Sequence, residues 1–253
     1  ASARRIEEII DTEEDLKVLP ESEHPDINTS AHIVFKDVSF SYNGVKDNIS
    51  GLNLEIAHGG SLGIIGATGS GKSTLIKLLM RFYDVGKGSI YIDGKDICTI
   101  PKEKLYSMFG CAMQNDFLYA DTIEENIRFG RDISHGEIVS AAKTAQADGF
   151  ISAIPDGYSH MLAVKGSNLS GGQKQRLLIS RAVAGKPDIL ILDDSSSALD
   201  YKTDANLRRA LSADMKGTTV ITVAQRVSSV KSCDKILVLN NGMPSGYGTH
   251  DEL

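Results

Sequence analysis

Residues 66–73 read Gly-Ala-Thr-Gly-Ser-Gly-Lys-Ser, and this octapeptide restricts the fold more than any other part of the chain. The spacing G-x-x-x-x-G-K-S places Gly66, Thr68, Gly69, Ser70 and Gly71 in a loop whose backbone N–H groups can close around phosphate oxygens. Glycine keeps a Cβ out of the way. The apolar run Ser61 to Ile65 predicts a strand entering the loop, and Thr74 to Phe82 predicts a helix leaving it, its dipole aimed at the anion. On this reading Lys72, near the start of the helix, reaches the β- and γ-phosphates of a nucleotide and the Ser73 hydroxyl ligates Mg²⁺, with Thr74 also in the nucleotide-binding set.

The rest of the pattern fits an α/β fold. Ile189 to Leu192, Thr219 to Val223 and Ile236 to Leu239 read as buried strands with helices between them, which predicts a mainly parallel sheet with right-handed crossovers. Strands are also expected at His32 to Phe35, Val38 to Tyr42, Leu52 to Ile56 and Gly88 to Asp93. These form an antiparallel part near the N-terminus. From Thr122 to about Ala184 the pattern turns helical, broken at Gly130, at Pro155-Asp156-Gly157 and at Gly166. Ile6 to Leu16 reads as the tail of a helix, and Pro20 to Ser30 as a linker. The second chemical element is Asp193, delivered by Ile189-Leu190-Ile191-Leu192 to the C-terminal end of a strand, where open parallel sheets bind ligands. It is positioned for the Mg²⁺ shell.

Composition excludes some alternatives. The net charge of the 253 residues is −6, with the basic residues scattered, so a basic nucleic-acid-binding face is not expected. Cys98, Cys111 and Cys233 match no metal spacing and read as idle or buried thiols in a reducing compartment. The six histidines suggest no ligand cluster. No apolar run reaches the roughly 20 residues that span a bilayer.

Leu169-Ser170-Gly171-Gly172-Gln173, lying between the phosphate loop and the Asp193 strand, resembles the signature motif of ATP-binding cassette proteins. Lys174-Gln175-Arg176 continues it, and the likeness extends from about His32 to the C-terminus. Read locally, Ser170 also suits a helix N-cap. The resemblance implies that Ser170, Gly171, Gly172 and Gln173 contact the γ-phosphate held by an opposite domain, so that ATP is sandwiched head-to-tail. It implies that Tyr42 stacks on adenine, that Gln114 contacts Mg²⁺ and the nucleophilic water, and that Ser197 to Asp200 cross the dimer interface.

Residues 118–127 are similar to the exporter form of the surface that receives a membrane domain. Ala3 to Asp11 resembles the segment entering from the last transmembrane helix. The resemblance therefore implies residues 1–30 as the end of that helix plus a linker, and 31–253 as the ATP-binding domain, its helical part at roughly 118–184. It implies a transmembrane domain in the same polypeptide and a position at the cytoplasmic face of a membrane, the inner membrane of a bacterium. The terminal His-Asp-Glu-Leu belongs to the usual end of such domains, not to a retention address.

Two catalytic positions and one further position depart from the family pattern. The glutamate that follows the strand Asp is Asp194 here, and the histidine that contacts the γ-phosphate is Gln225. The glutamate that exporters carry ahead of the signature is replaced by Val164. Lys72, Ser73, Asp193 and Gln114 are intact. The combination resembles the degenerate subunit of heterodimeric exporters: it binds Mg-ATP, hydrolyses it weakly at Asp194 and Gln225, and lends its signature to a partner's site. Two alternatives stay open, a catalytically active homodimer and a purely regulatory ATP clamp.

Overall fold

The computed structural model describes residues 11, 16–114, 116–195 and 197–253. The expected helix tail at Ile6 to Leu16 lies almost wholly outside these, Leu16 itself falling in a bend. Among the described residues no helix is long and apolar enough to cross a membrane.

Two sheets form the molecule. In the first, β2 (Ile49–Ala57), β1 (Ala31–Phe40), β4 (Lys87–Ile92) and β5 (Lys95–Asp96) pair antiparallel in that order. From Leu52 to Ala57 each outward residue of β2 alternates with a buried Leu or Ile, the period-2 pattern of a sheet with one face on a core. The sequence suggests two strands at 32–42; the chain forms one, ending at Phe40. A bulge at Lys36 and Asp37 explains the apparent break, with Asp37 at φ 50 and the ladder shifting register there. Pro20 to Ser30 carries no helix or strand, but it is not a free tether. Leu19 N–H donates to Cys98 O at 2.9 Å and Ile27 N–H to Gly94 O at 2.8 Å, which lays the segment along the antiparallel sheet.

The second sheet has the order β10 (Met243–Gly248), β9 (Lys235–Asn240), β3 (Ser61–Gly66), β8 (Thr219–Val223), β7 (Ile189–Asp193), β6 (Phe109–Ala112). It is parallel except for β10. Strand β7 lies between β8 and β6 and is buried along its whole length, as a central parallel strand should be. Its side chains divide between two cores. Ile189 and Ile191 join α1 (Lys72–Leu79) and the antiparallel sheet, whereas Leu190 and Leu192 face the helical layer. That layer comprises α3 (Ile123–Arg128), α4 (His135–Thr144), α5 (Asp148–Ile151), α6 (Gly171–Val183) and α7 (Tyr201–Asp214). A short α2 (Lys102–Ser107) leads into β6.

Strand β6 carries no strong sequence signal, because its four residues contain Gly110. The reason for that glycine is spatial: a Cβ there would lie 2.1 Å from Ala182 O and 2.6 Å from Pro187 Cγ. The helix α6 passes too close to the sheet for any side chain.

Candidate functional site

The phosphate loop joins β3 to α1 as expected, and the helix starts at Lys72, directly behind the loop. Gly71 caps it at φ 106, a conformation that favours glycine, and a Cβ there would meet Asn48 O and Ile49 Cδ1 at 2.9 Å. A Cβ on Gly66 would lie 2.3 Å from Leu239 O and 2.5 Å from Ser70 Oγ. Ala67, Thr68 and Gly69 stand exposed at the crest, as does Ser73 on the first turn of α1. Lys72 Nζ donates to Gly66 O and Ala67 O, both at 2.8 Å, so two of its three N–H bonds hold it across its own loop. Ser70 Oγ is a buried hydroxyl without a hydrogen-bond partner among the described residues. An orphaned polar atom inside a glycine cradle is what a phosphate-binding loop should contain, so the residues fit the nucleotide.

Tyr42 lies beside α1. Its ring is edge-on to Phe40 and Tyr83, with centroids 4.8 and 5.1 Å away, and its hydroxyl donates to Thr74 Oγ1 at 3.4 Å. About half of the side chain stays exposed, consistent with an aromatic wall at the edge of the loop.

Asp193 ends β7 and is 5% exposed. Burial raises its pKa above the ordinary carboxylate value, the neighbouring Asp194 raises it further, and Lys72 lowers it. The lysine and this carboxylate therefore feel each other across the site. A carboxylate kept at such a desolvation cost is a fitting anchor for a divalent cation.

Asp194 adopts φ 51 and is fixed at three points. Its N–H donates to Val223 O at 2.9 Å, and its carbonyl accepts from Gln175 Nε2 at 3.0 Å and Ser197 Oγ at 2.9 Å. Gln225 Nε2 donates to Asp194 Oδ2 at 3.4 Å. The two catalytic positions that depart from the family pattern thus face each other. Gln175 has a part that the sequence does not reveal: besides holding Asp194, its Oε1 accepts from Ala198 N at 3.0 Å. It ties the start of α6 to the loop after β7, and no local spacing announces a contact 19 residues away.

The signature residues form a separate group. Ser170 Oγ accepts from Gln173 N–H at 3.3 Å and Gln173 Oε1 accepts from Ser170 N–H at 2.8 Å, a capping box that starts α6. Gly171 and Gly172 lie against Ala198 and Leu199. Asp200 caps α7, accepting from Thr203 N–H at 3.0 Å and Thr203 Oγ1 at 2.7 Å, and these bonds lower its pKa. Gln114 is exposed and lines a cleft of about 220 Å³ with Gly171, Gln175 and Ser197. One chain therefore brings together the phosphate loop, Tyr42, Asp193, Asp194 and Gln225, while its own signature caps another element.

The profile of the ABC transporter family matches residues 49–197, more than half of the chain. The chain belongs to that family. Among curated relatives of this ABC domain, the uncharacterized ABC transporter ATP-binding protein YfiC of Bacillus subtilis is 41% identical over 254 residues, covering all of this chain and 42% of that protein. The fatty acid ABC transporter ATP-binding/permease protein of Mycobacterium bovis is 38% identical, again over all of this chain and 40% of its own length. The ABC domain thus spans about two fifths of these relatives. A solved bacterial Atm1-family ABC exporter with ATP bound superposes at a TM-score of 0.89 with 36% identity, over 98% of this chain and 43% of that one. The expected fold, a P-loop α/β core with an antiparallel sheet and a helical part, is the one found.

Proposed function

We propose that this ABC domain is the ATP-binding part of an exporter, that it holds Mg-ATP firmly, and that its own site hydrolyses slowly. In this reading it dimerises head-to-tail with a second half-transporter. Its signature at Ser170 to Gln173 then completes the site built on the partner. The observation that carries the reading is the facing pair Asp194 and Gln225 beside an otherwise complete binding set.

The chemistry follows from the side chains. The phosphate loop and Lys72 neutralise and orient the phosphates; Ser73, Asp193 and Gln114 would hold the Mg²⁺ that arrives with the nucleotide, which would supply charge neutralisation at the γ-phosphoryl group. Attack by water then needs a carboxylate to orient it. Asp194 is one methylene shorter than the family's glutamate, so its oxygens withdraw by about 1 Å, enough to cost on the order of 100-fold in rate. Gln225 donates a hydrogen bond but carries no positive charge near neutral pH. It can hold Asp194 in place without a cationic contact to the γ-phosphate.

The membrane side of the proposal rests on residues 117–130. Phe117, Tyr119 and Phe129 are each about half exposed on a continuous aromatic face. Beside them Tyr119, Asp121, Glu125, Asn126, Phe129 and Gly130 line a hollow of about 310 Å³. An apolar floor with an acidic rim suits a short helix from a transmembrane domain, which would put this ABC domain at the cytoplasmic face of a membrane.

The same Asp194–Gln225 contact favours one competing reading, in which Asp194 acts as a slow but real base in a homodimer. Steady-state hydrolysis separates the two. The chain should bind ATP with Mg²⁺ and turn over little, and the Asp194→Glu, Gln225→His double variant should gain roughly 100-fold. Brisk turnover by the unaltered chain, lost on Asp194→Ala, would replace the weak-site reading with the homodimeric one.

A further inference from the structure

A cluster outside the phosphate loop joins His32 of β1, His58 of the β2–β3 turn and Asp93 of the β4–β5 turn. His58 Nε2 lies 2.9 Å from Asp93 Oδ1 and His32 Nε2 4.0 Å from the same oxygen. The two imidazoles stack, centroids 4.3 Å apart and planes 14° from parallel, so both present an edge to Asp93. One ligand atom from each of the three residues lies within 4.8 Å of the others.

We propose that His32, His58 and Asp93 form a binding site for a divalent transition-metal ion of the Zn²⁺ class. The donor set is right for that class: two borderline imidazole nitrogens and one carboxylate oxygen, which hard ions such as Mg²⁺ and Ca²⁺ do not select. His32 is held from its far side. Its Nδ1 lies 2.6 Å from Thr219 Oγ1, which also meets Ala57 O at 3.3 Å and accepts from Gly59 N–H at 3.2 Å. With the Thr219 hydroxyl proton turned to Ala57 O, Nδ1–H donates to Thr219 and Nε2 is free to bind an ion beside Asp93. A histidine whose far nitrogen is tied to a fixed acceptor is the usual second shell of a metal ligand. Burial also lowers the His32 pKa, with Asp93 opposing and His58 reinforcing that effect, which favours the neutral ligand form.

The backbone holds the other two ligands in place. Asp93 and Gly94 form a tight turn at φ 52 and φ 77, and Asp93 N–H donates to His32 O at 2.9 Å. The next turn brings His58 in just ahead of Gly59 at φ 65. A tetrahedral shell with Zn–N bonds near 2.0 Å needs donor atoms about 3.3 Å apart. Rotation of the His58 and Asp93 side chains, both more than half exposed, closes that gap. The fourth position faces solvent. A bound ion would tie β1 to the β2–β3 and β4–β5 turns, with His32 resting on Thr219 of the parallel sheet. A second cluster, His24, Asp96 and Cys98, is a poorer candidate, because the Arg81 guanidinium donates to Cys98 O at 3.0 Å and places positive charge against it.

The test uses the untagged chain, freed of metal and without nucleotide, titrated with Zn²⁺ alone. One high-affinity Zn²⁺ per chain is expected. It should raise the unfolding temperature by on the order of 5 °C at a hundredfold excess over Kd. His58→Ala and Asp93→Asn change exposed side chains and should keep the circular-dichroism spectrum while weakening that event roughly tenfold or more. Co²⁺ in place of Zn²⁺ should give d–d bands without a thiolate charge-transfer band. Absence of Zn²⁺ binding, affinity unchanged in both variants, or a cobalt–thiolate band that places the ion at Cys98 would each overturn the site.

Discussion

Asp193 carries the clearest conflict between stability and use. Its folded pKa is raised, so between the unfolded value and that raised value the folded chain binds more protons than the unfolded one. Stability attributable to this group is therefore greatest in acid and declines as pH rises through the folded pKa. Asp193→Asn removes the buried charge without changing shape. In Mg²⁺-free buffer at pH 7 it should raise stability by roughly 0.5–2 kcal/mol, in line with other functional sites relieved of their charge. Mg²⁺-dependent ATP affinity should fall in the same variant. A melting temperature that stays level or drops would mean that Lys72 already offsets the burial. At this scale the sequence was most legible: the loop glycines, Lys72, Asp193 and the facing pair at 194 and 225 are readable because their chemistry lies in residue type and short spacing. Gln175 was not, since its two contacts depend on how α6 meets the loop after β7. Nor was the His32–His58–Asp93 cluster, whose members are spread over three elements.

Among the elements, α6 depends on its N-cap residue. Ser170→Ala breaks the capping box and should cost about 1 kcal/mol, a shift of roughly 2–4 °C in thermal unfolding. Restoration by Ser170→Thr would mark the loss as a capping effect. Farther along α6, Arg181 is 8% exposed and works as a strut. It donates to Asn126 O at 2.8 Å, Phe117 O at 3.0 Å and Asn126 Oδ1 at 3.1 Å, and its guanidinium lies 4.5 Å from the Phe129 ring centroid. Arg181→Ala removes the donor to the two backbone carbonyls, while Asn126 Oδ1 keeps its bond from Tyr119 N–H at 2.8 Å, and should cost on the order of 3 kcal/mol, read from the midpoint of urea unfolding. Aromatic exposure at residues 117–129 should rise with it. The strand positions at 52–56, 189–192 and 219–223 were legible from their apolar pattern, while β6 and the single long β1 were not. A packing glycine hides the first and a bulge divides the second.

For the whole molecule, the three thiols report on folding. Burial pushes Cys98 and Cys111 up to about 12 and Cys233 up to about 11. Almost no thiolate exists near neutrality, so alkylation of the folded chain at pH 7.5 should be far slower than that of the urea-unfolded chain. All three should become reactive together if the two sheets and the helical layer unfold as one unit. Early labelling of Cys233 alone would reveal a separate unit around β9. The α/β class and the order of strands and helices follow from periodicity, but the division into two cores does not, because it depends on which face each strand turns to which helix.

Gly110 sets a fulcrum. At the Ala182 end, α6 lies so close to the sheet that it has no room to slide. At its other end it carries the signature residues, 13 residues of helix away. That length is about 20 Å. A tilt of about 3° around the pinned end displaces Ser170 by about 1 Å, the scale at which a phosphate contact is made or lost. The helix is in effect a lever with its short arm clamped, and small rotations felt near Arg181 arrive magnified at its tip.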